Sequence, residues 1–137
     1  MLYASCCAPL HRGDRLASTA EQLMRSRYSA FALGEVEYIL RTQGPELSAP
    51  KPLSVQRRTL EASCRQVRWL QLEILASEGG GPLDLEGTVS FRAHYQQAGG
   101  RGFGGRRGVM GERSRFGRAG GELTGAWLYL EALELTN

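Results

Sequence analysis

Gly87-Thr88-Val89-Ser90-Phe91-Arg92-Ala93-His94-Tyr95 alternates residue by residue, with Val89, Phe91, Ala93 and Tyr95 against Thr88, Ser90, Arg92 and His94. A period of two is that of a strand with one buried and one wet face. Upstream, Arg68–Leu75 alternates as well, placing Leu70, Leu72 and Ile74 on one side and Trp69, Gln71 and Glu73 on the other. The breaker run Glu78-Gly79-Gly80-Gly81-Pro82 reads as the turn between them. A third strand is expected near Val109–Arg118 and a fourth over Ala126–Leu133. No helix separates these strands, so they pair antiparallel.

Before residue 68 the period is 3.6. A helix is expected from Thr19 to Leu33, with Ala20, Leu23, Met24, Tyr28 and Phe31 on one side. Ser18 or Thr19 caps it, Glu21 or Gln22 follows at capping-box spacing, and Gly34 suits its end. A second helix over Val36–Arg41 buries Val36, Ile39 and Leu40, and Gly44-Pro45 stops it. Pro45–Pro52 reads as a loop, and a third helix runs over Val55–Arg65. Helices followed by an antiparallel sheet of four or more strands make an α+β fold, with the helices on one face.

Composition narrows the class. At 137 residues and 42% hydrophobic content the chain suits one domain with one core. No apolar run approaches the roughly 18–20 residues needed to span a bilayer, and the N-terminus lacks a signal-peptide pattern. A cytoplasmic protein without a membrane partner is expected. Three cysteines, two of them adjacent at Cys6-Cys7, argue against a disulfide framework. Cys64, inside a helical stretch, reads as a small buried hydrophobe. The net charge of +3 is uneven, because Arg101–Arg118 holds six arginines against one acid, Glu112.

Two residues break their own patterns. Arg27 projects between Leu23 and Phe31, inside the apolar stripe of its helix. Glu112 shares the inward face of its strand with Met110, Ser114 and Phe116. A buried guanidinium needs an acidic partner or an aqueous cavity, so Arg27 and Glu112 are expected to meet, with Tyr28 and Ser114 nearby. Two readings stand: a structural salt bridge fixing helix to sheet, or the polar floor of a ligand pocket. Phe91, Tyr95, Phe116, Trp127 and Tyr129 are available as aromatic walls, though core packing also accounts for them. No Ser-His-Asp order, HExxH, Walker loop or Rossmann glycine pattern is present. His94 is expected to face outward and His11 lies near the terminus, so neither is placed as a general base.

Glu21-Gln22-Leu23-Met24-Arg25-Ser26-Arg27-Tyr28-Ser29-Ala30-Phe31 resembles the signature helix of the uncharacterised YchJ-like family. The resemblance continues through Val36–Leu40, Trp69–Ile74, Glu86–Tyr95, Glu112–Phe116 and Trp127-Leu128-Tyr129. It implies the cystatin-like cone of the nuclear-transport-factor-2 superfamily, with helices packed on a curved sheet that encloses a pocket. In such cones the convex sheet face often mediates dimers, so a homodimer is one expectation. Here that face would carry Thr88, Arg92, His94, Arg113 and Arg115.

The family also implies an N-terminal zinc-binding SEC-C motif, Cys-x-Cys followed by Cys-Cys or Cys-His. Only the second half is present, as Cys6-Cys7-Ala8-Pro9-Leu10-His11. Residues 1–15 are thus expected to be a remnant of that motif and 16–137 the cone domain. A closed structural zinc site takes four ligands, so no cofactor is expected unless a further Cys-x-Cys precedes Met1. Cys6 and Cys7 are its candidate ligands here.

Residues 99–108, Gly-Gly-Arg-Gly-Phe-Gly-Gly-Arg-Arg-Gly, are expected to form a flexible loop. They also resemble an RGG segment, which points to weak RNA binding as one alternative. Two function classes stay open beside it. One is a binding or adaptor domain holding a small molecule or a protein in the cone. The other is an isomerase- or hydratase-like enzyme, with Glu112 as acid or base and Arg27 as anion anchor.

Overall fold

The computed structural model describes residues 7–48, 51–98 and 104–136. Among the described residues five helices precede the sheet: α1 (Ala8–Arg12), α2 (Ala20–Leu33), α3 (Val36–Arg41), α4 (Pro45–Ser48) and α5 (Leu53–Gln66). The strands β1 (Val67–Gly79), β2 (Glu86–Gln97), β3 (Arg107–Arg118) and β4 (Trp127–Thr136) follow, and Ala119–Gly121 forms a single 3-10 turn before β4. They pair antiparallel in the order β1-β2-β3-β4. This is the α+β arrangement read from the change of period.

The start of α2 follows from its capping residues. Thr19 caps the helix, and its hydroxyl accepts from Gln22 N at 3.1 Å. The Gln22 side chain in turn accepts from Ser18 N at 2.7 Å, one residue before the cap. Gly34 ends the helix at φ +75°, a left-handed conformation that glycine adopts without steric cost. The expected loop over Pro45–Pro52 needs correction, because Pro45–Ser48 forms one helical turn. Proline at the first helical position lacks only an N–H that would be unpaired there.

Gly80 joins the two halves of the domain. Its carbonyl accepts from Ala20 N at 2.9 Å, docking the β1–β2 turn on the start of α2. Its φ is +73°, and a Cβ there would lie 2.7 Å from Ala20 Cβ. Only glycine fits both constraints.

The inner face of the sheet supplies half of the core. Val89, Phe91, Ala93, Phe116 and Trp127 pack against Leu10, Ala20, Leu23, Ala30 and Ile39 of the helices. The β2–β3 register is unbroken from Glu86↔Gly117 to Gln96↔Arg107. β1 is not regular: its register shifts between Trp69 and Gln71 and again between Ile74 and Ala76. A bulge adds one residue and inverts the alternation. Trp69 therefore packs on the core with Leu72 and Ile74, while Leu70 is exposed. The expected grouping of Leu70 with Leu72 and Ile74 is corrected accordingly. β4 is bulged twice as well, between its pairings with Arg113 and Ser114 and with Arg115 and Phe116.

The glycine-arginine segment is shorter as a link than expected. β3 begins at Arg107, and Gln97 N donates to Arg106 O at 2.9 Å, closing the hairpin. Residues 99–103 lie outside the described residues. Among those described, no helix is long and apolar enough to cross a membrane.

Candidate functional site

A cavity of about 290 Å³ lies between α2 and the inner face of the sheet. Met24, Phe31, Phe91, Ala93 and Met110 line it, with Tyr28 and Trp69 meeting edge to face at 5.9 Å. Its charged lining residues are Arg27 and Glu112, and Tyr28, Trp69 and Tyr129 are lining aromatics that also carry a polar atom. Tyr28, Phe31, Trp69 and Met110 are only partly buried, which leaves the cavity open on their side. Few polar groups among apolar walls is the composition of a small-molecule site.

Arg27 is 6% exposed and makes no ion pair with Glu112, contrary to the expectation from sequence. Its Nη1 donates to Ile39 O at 3.0 Å and to Thr42 Oγ1 at 2.7 Å, at the C-terminal end of α3. Carbonyls at a helix C-terminus lack intrahelical donors and carry partial negative charge, so a cation is stabilised there. The guanidinium also lies over the Tyr129 ring, 4.8 Å from its centroid, a favourable cation–π geometry. Burial pushes its pKa down to about 10, against the opposing pull of Tyr129, Tyr38 and Glu112. Arg27 therefore keeps its charge at neutral pH.

Glu112 is held by two hydroxyls. Its Oε2 accepts from Ser114 Oγ and, at 2.8 Å, from Tyr129 Oη. Its Oε1 accepts from no group among the described residues. Tyr129 thus joins the two anomalous residues, with Arg27 on its ring face and Glu112 on its hydroxyl. Burial raises the Tyr129 pKa first, and the adjoining Glu112 carboxylate raises it further, so the phenol stays a donor.

The residues anticipated for the site divide into two groups. Arg27, Tyr28, Phe91 and Glu112 line the cavity. Ser114 is fully buried and acts by orienting Glu112. Phe116 and Trp127 belong to the packed core; Trp127 donates from Nε1 to Ser18 O at 3.2 Å, and Arg118 covers its ring at 4.4 Å. Tyr95 packs edge-on against Trp69 at 5.8 Å, outside the lining. Tyr129, named among the aromatic walls, lines the cavity too, and Trp69, Met24 and Met110 extend the lining beyond the anticipated residues. The aromatic alternation of Trp127 and Tyr129 carries a signal for one of them, and the β1 bulge conceals Trp69.

The N-terminal metal ligands are a poor fit. Cys7 is buried, and its Sγ accepts from Ser29 Oγ at 3.3 Å. His11 is buried against Tyr38, its Nε2 donating to Ser26 O at 2.8 Å, so that nitrogen has no lone pair for a metal. No group of three or more His, Cys, Asp or Glu suited to a metal occurs among the described residues; Cys6 lies outside them.

On the outer face, His94 Nε2 lies 2.5 Å from Glu73. Arg115 bonds Glu131 at 2.7 Å and Glu86 at 3.3 Å, and Arg113 lies 3.8 Å from Glu134. Cys64 packs part-buried on the core edge, and burial raises its thiol pKa, which makes it a weak nucleophile.

Comparison with known proteins gives this chain its relatives. A UPF0225 protein of Geobacter sulfurreducens is 46% identical over 99 residues, 72% of this chain and 59% of that protein. UPF0225 proteins of Corynebacterium glutamicum and Streptomyces coelicolor are 38% and 40% identical over 129 residues, 94% of this chain and 87% and 86% of theirs. The solution structure of a SEC-C motif containing protein from Rhodopseudomonas palustris superposes with a TM-score of 0.77 at 32% identity, covering 98% of this chain and 92% of that one. The crystal structure of a SEC-C motif containing protein from Psychrobacter arcticus gives 0.75 at 28%, covering 96% and 71%. The family model for the YchJ middle NTF2-like domain matches residues 19–132, and the chain belongs to that family.

Proposed function

We propose that this domain binds a small, largely apolar molecule in the cavity between α2 and the sheet. The supporting observation is Glu112, held by Ser114 and Tyr129 at one oxygen and left with a second that no described protein group uses, inside aromatic and thioether walls. No buried side-chain oxygen among the described residues lacks a partner, so this second oxygen is accessible and a ligand donor can reach it.

Binding is favoured over catalysis by the protonation states on hand. Arg27 and Tyr129 both hold their protons at neutral pH, and neither histidine lines the cavity. Glu112 alone would have to serve as acid and base in the enzyme reading.

The test uses indole as an apolar aromatic probe, followed by NMR at the Trp69 indole and the Met24 and Met110 methyls. Saturable shifts confined to these signals are expected, and Ala93→Leu, which fills the cavity, should abolish them. Absence of shifts at millimolar indole, or shifts unaffected by Ala93→Leu, would contradict the reading.

A further inference from the structure

Arg27 and Glu112 both touch Tyr129 and both line the cavity, and each keeps a polar edge that no described group uses. Arg27 spends Nη1 on α3, while Nε and Nη2 donate to no atom of the described residues. No buried side-chain nitrogen or oxygen among the described residues lacks a partner, so these two N–H groups are not sealed in protein. Arg27 lines the cavity. Nε and Nη2 form one edge of the planar guanidinium, the two-donor edge that matches a carboxylate. The edge kept by Glu112 is Oε1, an acceptor without a donor.

We propose that the cavity takes a small carboxylic acid with an apolar or aromatic body and a hydroxyl or ammonium group close to the carboxylate. The carboxylate pairs with the Nε/Nη2 edge of Arg27, and the neighbouring donor goes to Glu112 Oε1. The body packs among Met24, Tyr28, Trp69 and Phe91. The charges support this class. A single carboxylate neutralises Arg27, and a donor beside it keeps the ligand from meeting Glu112 as a bare like charge. A phosphate would bring about two charges against one guanidinium, with Glu112 adding a further negative charge nearby.

This inference rests on the cavity being a small-molecule site, and the test separates the two. Calorimetric titration of the full chain at neutral pH compares 3-phenyllactate, 3-phenylpropanoate, 3-phenylpropane-1,2-diol and indole. Phenyllactate should bind at least about tenfold tighter than the diol, as a bidentate charge-assisted pair requires. It should also bind severalfold tighter than phenylpropanoate, which lacks the hydroxyl. Indole binding with equal affinities for phenyllactate and the diol would overturn the carboxylate assignment and leave the cavity reading standing. No binding by any of the four would overturn both.

Arg27→Lys removes the two-donor edge but also weakens the tie to α3, so the ligand panel decides the matter if that variant fails to fold. Glu112→Gln keeps the shape. It should narrow the gap between phenyllactate and phenylpropanoate while preserving the preference for acid over diol. An unchanged gap would overturn the role assigned to Glu112.

Discussion

The two faces of the sheet handle charge in opposite ways, although alternate residues of the same strands build both. On the outer face Arg113, Arg115 and His94 each meet an acid across the strands. On the inner face Glu112, the immediate neighbour of Arg113, meets two hydroxyls and no cation among the described residues. Water accounts for the difference. Outside, pairs form freely, solvent screens them, and each contributes about 0–1 kcal/mol. Inside, each polar group must be placed by named partners, and any atom left over is available to a ligand.

The sharpest break in this comparison lies at the core end of the inner face. Trp127→Ala should destabilise the domain by about 3–5 kcal/mol, read as a lower urea midpoint. A loss below about 1 kcal/mol would show that the inner face does not carry the core.

A smaller change separates the polar floor from the packing. Tyr129→Phe removes one of two donors to Glu112 and should cost about 1–2 kcal/mol with the fold intact. The same phenol sets an alkaline limit. Its pKa is raised on folding by burial and then by Glu112. The associated stability is therefore complete below the free tyrosine pKa of about 10 and is lost as pH rises through the folded value. Ultraviolet titration should show a late-ionising phenol in the native protein that is missing from Tyr129→Phe. A spectrum unchanged by the substitution would contradict this assignment.

The least effect is expected outside. Arg115→Ala removes contacts to Glu131 and Glu86, yet should cost less than about 1 kcal/mol and nothing measurable in 1 M salt. A larger, salt-independent loss would mean that this face is covered in solution.

How much of this can be read from sequence varies by strand. β2 and β3 pair without interruption, so Val89, Phe91, Ala93, Met110, Glu112, Ser114 and Phe116 all face where their alternation puts them. β1 and β4 carry bulges, and simple alternation fails there. Trp69 faces opposite to its alternation, whereas Trp127 and Tyr129, where the β4 register is unbroken, both face inward. Bulge positions follow from how the sheet bends around the helices, which no local pattern encodes.

The amino-acid sequence by itself determined the four strands and three of the helices, α2, α3 and α5, with their order, but neither α1 nor α4. It also determined the inward turn of Arg27 and Glu112 and the capped start of α2. Each of these depends on neighbours a few residues away. Only the tertiary structure decided that Arg27 and Glu112 share a cavity without forming a salt bridge. That outcome depended on where the end of α3 fell and on the side taken by Tyr129. Ile39 and Thr42 met the first need of the buried cation, Tyr129 met both residues, and one edge of each was left for something else.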